Sequence, residues 1–580
     1  MNNKFNNFPS IKVKGDYKSH ACWNCITNEL SSKLNNKKTI LVLETYHGVY
    51  DDELIANIKD GLKPTLFVNA KDAMLSEEEI KELVYPDVTD DRIFGFLTRL
   101  QIEAFFKSDK IAELQKQIDS VEEGIVIVYG IGASLIVENP TLLVYADMAR
   151  WEIQLRFRRN EISNMGITNP DEDFARQYKQ AFFVDWRVLD RLKKRLFKKI
   201  DYLLDTNIKD NPKMITGSAL LNGLKQTVTQ PFSVVPFFDP GPWGGQWMKE
   251  VCNLDKSADN YAWCFNGVPE EESLLLEVDG EMVEIPSINV VFYQPEELLG
   301  KMCHGRFGDE FPIRFDFLDT IGGGNLSLQV HPLTEYIQEH FGMHYTQDES
   351  YYMLDARPGA EVYLGLRDGV NPEAMIAELK EAQKGVKPFN AEKHVQTWPA
   401  KKHDHFLIPG GTVHCSGVDG MVLEISATPY IFTFKLWDWG RLGLDGLPRP
   451  INIDHGANVI QWDRTKSWSE KNIVNQIEEV AKGDGWREER TGLHEREFIE
   501  TRRHWFTKKV LHNTNDNVHV INIIEGAEVI VESPENKFEP FVVHYAETFI
   551  VPARVGEYTI RPYGDSEGKE CATIKAYVRG

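Results

Sequence analysis

Between residues 39 and 204 the hydrophobic pattern changes repeatedly between short apolar runs and longer amphipathic stretches. Residues 39–44, 124–129 and 142–145 are apolar runs of the kind that form buried parallel strands. Charged segments lie between them, and residues 171–204 repeat apolar side chains at intervals of three and four positions, which is typical of helices with one buried face. Strands that alternate with helices predict an open α/β sheet.

From about residue 270 the pattern changes to short alternating strands separated by Gly, Pro, Asn and Asp turns. This pattern predicts an antiparallel sandwich or jelly roll. Residues 371–384 form the one obvious helix of that stretch, and we expect it to lie outside the barrel. A second group of alternating strands, from about Trp505 to Gly580, predicts a further β module. We interpret residues 206–230 as a polar connection between the α/β and β parts.

The composition adds limits to this picture. A chain of 580 residues exceeds what one hydrophobic core usually holds, so two or three domains are expected. The formal net charge of -23 argues against a general nucleic-acid binder, which needs a basic face. No apolar run approaches the roughly 18 residues of a membrane span, and the first residues lack the apolar core of a signal peptide. We therefore expect a cytoplasmic protein without a membrane or nucleic-acid partner.

The seven cysteines are an odd and dispersed set, which favours reduced thiols over a disulfide framework. Cys22 and Cys25 have the CxxC spacing of a redox or metal motif, but the sequence lacks a second pair at that spacing. Apolar side chains around them repeat at helical spacing, at Trp23, Ile26, Leu30 and Leu34. This segment therefore predicts one buried face of a helix.

Four side chains from three predicted strands form a candidate metal site. Gln329 and His331 are two positions apart in an alternating run, so they point to the same face of one strand. Glu349 lies at the start of another apolar strand, and His414 follows a Pro-Gly-Gly turn. Two imidazoles, one carboxylate and one amide oxygen suit a divalent metal such as zinc and leave room for water or substrate.

Two other histidines compete for such a site. His403 and His405 share a predicted strand face and lie close to His414 in the sequence. They fall in the polar run Lys-Lys-His-Asp-His. Because polar runs are usually exposed to solvent, we interpret both as surface residues.

The segments that carry the four candidate ligands also carry a resemblance to a known family. They are similar to the type I mannose-6-phosphate isomerases, zinc enzymes of the cupin class. The matching motifs are LSLQVHP at 326–332, DESYYML at 348–354, IPGGTVH at 408–414 and VLEI at 422–425, with Trp-Gly-Gly at 243–245 and a later Trp at 263. The resemblance covers residues 230–580 and implies one zinc ion per chain, held by Gln329, His331, Glu349 and His414.

The resemblance implies that mannose 6-phosphate and fructose 6-phosphate are interconverted through a cis-enediol. Such a reaction moves a proton between C1 and C2, so a cation can stabilise charge on the substrate oxygens and a carboxylate can carry the proton. Glu424 occupies the family's carboxylate position and is the candidate base. The alternative for Glu424 is a structural carboxylate paired with a neighbouring Lys or Arg.

The cationic positions around this site depart from the family pattern. Gln347 stands where the family has a lysine two positions before the carboxylate ligand, and Asp316 falls at the position of a second lysine. The family's active-site arginine falls at Lys435, which is the second candidate catalytic residue. Lysine keeps the charge but lacks the bidentate fork that suits phosphate. Arg314 and Arg441 remain as candidate substrate-binding residues.

The α/β part is weakly similar to P-loop kinases of the nucleoside or uridine type, with a basic run at 156–159 where such enzymes have lid arginines. The similarity fails at the phosphate loop, which needs GxxxxGK[ST]. Residues 44–52 read ETYHGVYDD, which is acidic and lacks lysine. We expect a degenerate structural, regulatory or sugar-sensing domain. The basic residues 187–199 cover an apolar stripe, so we interpret them as a solvated helix face.

The sequence thus predicts a multidomain α/β and all-β protein. The predicted domains are a helical leader (1–38), a kinase-like α/β sheet without a P-loop (39–222), a metal-binding cupin (223–500) and a second cupin without metal (501–580). The expected function is zinc-dependent isomerisation of a small-molecule sugar phosphate, with a homo-oligomer as a possible assembly. Two alternatives stay open: an isomerase or epimerase acting on another sugar, and a non-catalytic sugar-responsive binding protein.

Overall fold

The structure of the chain, a computed structural model, describes residues 4–34, 37–427, 430, 432–443, 449, 451–492 and 494–580. The chain forms two compact units. The first, here called the α/β unit, comprises Ser10–Thr227 and Ser273–Tyr293. The second, the β unit, comprises Met1–Pro9, Val228–Glu272 and Gln294–Gly580. The division into four domains stays a prediction.

The α/β unit contains a seven-stranded sheet in which five consecutive strands, ending at one edge of the sheet, are parallel. Val42 lies between Val128 and Leu143 on the neighbouring strands, and all three side chains are buried. This confirms the open α/β sheet and its three apolar runs. The strands follow one another across the sheet as Ser19–His20, Lys213–Thr216, Tyr202–Asp205, Leu142–Asp147, Thr39–Thr45, Ile125–Gly130 and Leu66–Asn69.

Helices and short helical turns surround this sheet. The described α-helices are Trp23–Lys33, Asp51–Leu62, Glu77–Val88, Ser108–Asp119, Ala133–Ile136, Arg150–Arg158, Phe174–Gln180, Trp186–Leu196, Gly217–Thr227 and Ile288–Tyr293. A π-helical turn at Ala181–Asp185 joins two of them, and 3-10 turns lie at Ala70–Ala73, Ile102–Phe105 and Phe197–Lys199. A separate three-stranded sheet pairs Ser10–Lys12 with the hairpin Ser273–Val278 and Glu281–Pro286.

Two sequence interpretations of this unit were wrong. Residues 206–230 are not only a polar connection, because they contain the strand Lys213–Thr216 and the helix Gly217–Thr227, whose apolar side chains are buried. The basic helix Trp186–Leu196 has the predicted apolar stripe, but its basic residues are not all solvated. Lys193 is buried, and its Nζ lies 2.7 Å from Asp147 Oδ1. Sequence periodicity alone does not show that a lysine has a buried carboxylate partner.

The prediction of reduced thiols was wrong for one pair, since Cys22 and Cys25 form a disulfide. Cys22 is extended at the N-cap of the helix Trp23–Lys33, and Cys25 lies in its first turn, so their Cα atoms are 5.1 Å apart, within disulfide reach. The helix itself was predicted correctly, and Ile26 and Leu30 are buried on it. The other five cysteines are free and buried.

The first part of the β unit contains two antiparallel sheets, consistent with the predicted cupin region. One has six strands in the order His405–Ile408, Asp348–Ala356, Gly420–Ala427, Arg314–Asp319, Trp263–Phe265 and Phe237–Asp239. The other has five in the order Val395–Pro399, Glu361–Leu366, His414–Ser416, Leu328–Val330 and Phe434–Trp437.

The same part of the β unit also contains helices, most of them short. The helix predicted at 371–384 is confirmed as Pro372–Gln383, and the Asn371 side chain accepts a hydrogen bond from Ala374 N to cap it. Helices of four to eight residues were not predicted, because their patterns are too short to show a period. They are Trp247–Val251, Pro295–Leu299, Lys301–Phe307, Thr334–Phe341, Ala391–His394, Ile453–Val459 and Lys466–Asn472.

The end of the β unit contains two further antiparallel sheets. The six-stranded sheet comprises Glu478–Gly483, Trp486–Arg490, Ile499–Phe506, Cys571–Val578, His519–Glu525 and Thr548–Val551. The four-stranded sheet comprises Val510–Asn513, Glu557–Pro562, Glu528–Glu532 and Phe541–His544. Residues from both sheets, among them Ile521 and Ile560, share one buried cluster, so the two sheets pack face to face. Within the described ranges, every helix is too short or too polar to cross a membrane.

Candidate metal centre

Three buried side chains of the β unit converge on one point. His331 Nε2 lies 3.0 Å from one carboxylate oxygen of Glu349, and His414 Nε2 lies 2.8 Å from the other. Each of the three offers one possible metal-ligating atom, and these atoms all lie within 4.8 Å of one another. His331 Nε2 and Glu349 Oε1 are buried and make no hydrogen bond. A cation between them would satisfy both atoms, so the group could hold a metal ion.

The backbone fixes which nitrogen each imidazole turns toward this point. His331 Nδ1 lies 2.8 Å from the carbonyl oxygen of Phe432, and His414 Nδ1 lies 2.9 Å from that of Thr412. A carbonyl only accepts, so each Nδ1 carries the proton and donates it. Each Nε2 is then left to face Glu349 with its lone pair. Histidine ligands of metals commonly have such an outer partner.

Gln329 stands beside the cluster, as predicted from its position two residues before His331. It pairs directly with His414 across two antiparallel strands, and its amide nitrogen lies 3.2 Å from His414 Nε2. Rotation of the amide by 180° exchanges nitrogen for oxygen at this position. The side chain can therefore present an oxygen to the same point.

The charges of the cluster favour a bound cation. Burial raises the pKa of Glu349, but the neighbouring His331 and His414 outweigh it and hold that pKa well below its usual value. Burial lowers the pKa of His331, but Glu349 outweighs it and the net shift is upward. Glu349 is thus held as an anion away from solvent, and a metal ion bound by the three side chains would replace the imidazole protons as the compensating positive charge.

The turn that carries His414 depends on one glycine and one buried arginine. Gly411 has a φ of +90°, which other residues rarely adopt, and a Cβ there would lie 2.9 Å from the carbonyl oxygen of Val459. Arg464 Nη1 donates to the carbonyl oxygens of Pro409 and Gly410 at 2.8 and 2.7 Å. Arg464 was not predicted as a site residue, because it lies about fifty positions after this turn without a local motif.

A cavity of about 170 Å³ lies beside the cluster: it is lined by Gln329 and Gln347, which contact His414 and Glu349, but not by the three clustered residues themselves. One wall is aromatic, formed by Trp243, Trp263 and Phe265. The polar wall contains the candidate base Glu424 beside Asp316, its direct partner on the next strand. Other polar side chains that line the cavity are Arg314, Ser327, Thr433, Lys435 and Arg449.

Glu424 is held in an acidic and buried environment. Burial, and then the nearby carboxylates of Glu349 and Asp316, raise the pKa of Glu424 well above its usual value. Gln347 joins the two carboxylates, because its Nε2 lies 3.0 Å from Glu349 Oε2 and 3.5 Å from Glu424 Oε1. The amide oxygen of Gln347 accepts from Phe432 N, so its orientation is fixed. Gln347 had been noted only as a departure from the family pattern.

The candidate substrate-binding residues lie in different places. Arg314 and Lys435 line the cavity, and Arg314 Nη2 lies 3.4 Å from Asp316 Oδ2. Arg441 does not line it; its Nη2 lies 2.6 Å from Asp438 Oδ1. Arg449, which was not predicted, lines the cavity and contacts the same carboxylate, with Nη1 3.1 Å from Asp438 Oδ2. Asp438 therefore orders both arginines.

The interpretation of the two competing histidines as surface residues was wrong for His405. His405 is fully buried, and burial together with the charge of Arg503 lowers its pKa to about 3. His403 is partly exposed and lies in a turn before the strand, with Nε2 3.3 Å from Glu525 Oε2. His405 is therefore a neutral core residue, away from the three clustered donors.

Comparison with known proteins gives a different result for each part of the chain. A family model described as a domain of unknown function (DUF8485) matches residues 23–229. Mannose-6-phosphate isomerase ManA of Bacillus subtilis is 24% identical over 255 residues, covering 43% of this chain and 74% of that protein. Mannose-6-phosphate isomerase of Streptococcus mutans is 26% identical over 221 residues, covering 38% of this chain and 64% of that protein.

Solved structures with partial similarity include the mannose 6-phosphate isomerase from Bacillus subtilis, with a TM-score of 0.48 and 18% identity over 60% of this chain and 99% of that one. A putative mannosephosphate isomerase from Archaeoglobus fulgidus has a TM-score of 0.43 and 16% identity, over 60% of this chain and 98% of that one. The sequence comparisons show distant homology to type I mannose-6-phosphate isomerases over roughly 40 to 60% of the chain.

Proposed function

We propose that the chain is a metal-dependent aldose-ketose isomerase that interconverts mannose 6-phosphate and fructose 6-phosphate. The observation that carries this proposal is the buried His331, Glu349 and His414 cluster beside a cavity lined by a second, protonatable carboxylate, Glu424, with Gln347 between the two carboxylates. The distant relation to mannose-6-phosphate isomerases supports the same reaction class. Sugar phosphate is then the substrate class.

The proposed cofactor is one zinc ion per chain, with Gln329 as a fourth ligand beside the three clustered residues. Two imidazoles, a carboxylate and an amide oxygen match the donors that zinc prefers. When bound, the metal supplies Lewis-acid stabilisation of charge on the substrate oxygens.

Glu424 is the proposed acid-base residue. A carboxyl that takes a proton from one substrate carbon and returns it to the next needs a pKa above the usual value for glutamic acid. Burial and two neighbouring carboxylates give Glu424 this property. Gln347 holds it at a fixed separation from Glu349, so we assign Gln347 a positioning role.

Cationic side chains of the cavity would bind the phosphate. Lys435 is the proposed catalytic cation, since it lies opposite Gln329 in the strand register. Arg314 and Arg449 line the same cavity. We propose that Arg441 does not contact the substrate. It instead helps to position Arg449, because both arginines contact the carboxylate of Asp438.

The test is a coupled assay of mannose 6-phosphate conversion on purified protein, before and after chelation and zinc addition. Activity should disappear on chelation and return with zinc. Glu424→Gln should reduce kcat by at least about 100-fold, the usual contribution of a positioned acid-base group, while zinc content by elemental analysis stays unchanged. Glu373→Gln, an exposed change in the same unit, is the matched control and should retain full activity. Full activity in Glu424→Gln would contradict its assigned role.

A second candidate is an isomerase or epimerase acting on an unphosphorylated sugar. It is favoured by the pairing of cavity arginines with carboxylates, Arg314 with Asp316 and Arg449 with Asp438, which leaves less positive charge for a phosphate. Equal turnover of mannose and mannose 6-phosphate would favour this candidate, whereas strict phosphate dependence would exclude it. Inactive protein that holds stoichiometric zinc would instead favour a sugar-responsive binding protein.

A further inference from the structure

A cavity of the α/β unit lies at the carboxyl ends of its parallel strands. It has a volume of about 540 Å³ and is lined by residues at or just after the carboxyl ends of four of those strands, including Thr45, Asn69, Gly130 and Lys209. Counted along the chain, the five parallel strands lie in the order 2-3-1-4-5, so the connections after strands 1 and 4 leave in opposite directions. Crevices at such a reversal are where open α/β sheets bind ligands.

The cavity is unsuited to phosphate. The helix that follows the first strand, Asp51–Leu62, begins with three consecutive acidic residues, Asp51, Asp52 and Glu53, and all three line the cavity. Glu161 adds a fourth carboxylate to the cavity lining, which also contains the positive charges of Lys71 and Lys209. Anions are attracted to helix N-termini by the helix dipole, but here that position already carries the protein's own negative charges.

Two backbone N–H groups and one arginine of this unit that could otherwise bind an anion are bound within the protein itself. Glu44, at the end of the first strand, accepts hydrogen bonds from Gly132 N at 2.6 Å and Ser134 N at 2.8 Å. Arg156 is fully buried and donates to the carbonyl oxygens of Gly48 and Thr206. The backbone N–H groups of Gly132 and Ser134 and the guanidinium of Arg156 are therefore not available to a bound phosphate.

What the cavity offers instead is a set of ordered hydrogen-bond acceptors. Tyr129 donates to Asp51, and Tyr50 donates to Glu161, both at 2.5 Å, so these two carboxylates are held in place. Each carboxylate has about four lone-pair sites, so both can accept further hydrogen bonds. Arg159 Nε lies 2.9 Å from Glu161 and, with the two lysines, offsets part of the negative charge.

We propose that this cavity binds an uncharged small molecule that carries several hydroxyl donors, a sugar or a nucleoside, and rejects its phosphorylated form. Hydroxyl groups that donate to carboxylates form strong, charge-assisted hydrogen bonds. The partial offset of the carboxylates by nearby cations disfavours a highly charged polyamine. This site is separate in sequence from the proposed isomerase site, and the inference does not depend on the proposed isomerase activity.

The test is isothermal titration of the full chain with adenosine, uridine, mannose and glucose, beside ADP, ATP and spermidine. At least one neutral probe should bind, and Asp51→Ala and Glu161→Gln should each weaken that probe by about tenfold, the usual effect of losing a hydrogen bond to a charged group. Asp60→Asn, an exposed change at the other end of the same helix, should leave binding unchanged.

The outcomes are distinct for this cavity and for the metal centre. A neutral probe whose binding is lost in Glu424→Gln but kept in Asp51→Ala binds in the β unit and overturns the proposal. Binding of none of the four neutral probes overturns it as well, and so does tighter binding of ADP, ATP or spermidine. Adenosine or uridine binding without mannose or glucose identifies a nucleoside site, and the reverse identifies a sugar site.

Discussion

Glu349 is the residue on which the metal centre depends most. Its two oxygens contact both imidazoles, and it supplies the negative charge among the three clustered donors that attracts a cation. Glu349→Gln keeps the shape but removes that charge. We expect zinc affinity to fall by at least about 100-fold, since even the loss of an outer-shell partner costs roughly 10- to 100-fold. Elemental analysis after dialysis against a dilute chelator measures the change.

The same variant tests whether the metal stabilises the fold. A ligand that binds only the folded state raises the free energy of unfolding, by about 4 kcal/mol when it is present at about 1,000 times its Kd. Zinc should therefore raise the Tm of the unchanged protein and leave that of Glu349→Gln where it is. Full zinc content in Glu349→Gln, with the exposed Glu373→Gln as control, would contradict the assignment.

At the residue scale the sequence predicted the residues that carry a motif. His331, Glu349 and His414 lie in matching segments with strand-like spacing, and the structure brings these three together. Arg449 and Arg464 were missed because each acts on a turn or carboxylate outside any motif of its own segment. His405 was misread because a polar sequence run does not exclude a buried position within it.

At the scale of elements, the junction between the strand Thr39–Thr45 and the short helix Ala133–Ile136 has a titratable group at its centre. Glu44 is fully buried there, and burial raises its pKa from 4.5 to about 7 despite its bonds to Gly132 N and Ser134 N. Between these pH values the folded state binds more protons than the unfolded state. The stability of the α/β unit should therefore fall as the pH rises from 4.5 to about 7.

Glu44→Gln removes this titration, so its stability relative to the unchanged protein should improve by about 3 kcal/mol across that range. Urea unfolding at several pH values, followed by hydrogen exchange in the strand Ile125–Gly130, measures the difference within the α/β unit. Glu82→Gln, which is exposed on the helix Glu77–Val88, should follow the unchanged protein. A constant difference between Glu44→Gln and the unchanged protein at all pH values would contradict the assigned titration.

The sequence predicted the elements whose apolar residues form a clear run or repeat, and it missed those too short to show one. The buried strands and the helix Pro372–Gln383 were recognised because apolar runs and capped amphipathic stretches have local signals. The strand Lys213–Thr216 has four residues, too few for a period, and the helix that follows it begins at a glycine. Pairing with Tyr202–Asp205, which no local pattern reveals, is what defines that strand.

At the scale of the whole molecule, each compact unit is built from separate stretches of the chain. Residues 273–293 complete the α/β unit: their hairpin pairs with Ser10–Lys12, and Asn289 Nδ2 donates to the buried Asp147 at 2.8 Å. Residues 4–9 contribute to the β unit, where Lys4 Nζ lies 2.7 Å from Glu528 Oε1. The strand pattern of 273–293 resembles that of the strands after it, so its membership of the α/β unit could not be predicted from sequence.

This arrangement makes a prediction about fragments cut at the boundary suggested by the sequence. A fragment of residues 1–222 lacks the hairpin, and the buried Asp147 keeps its contact with Lys193 but loses the hydrogen bond from Asn289, which costs about 1.5–3 kcal/mol for a charged acceptor. We expect it to unfold without cooperativity in circular dichroism. Residues 10–227 joined to 273–293 by a flexible Gly/Ser linker should regain a cooperative transition. Cooperative folding of 1–222 alone would instead support a domain boundary at residue 222, with 273–293 as a dispensable addition.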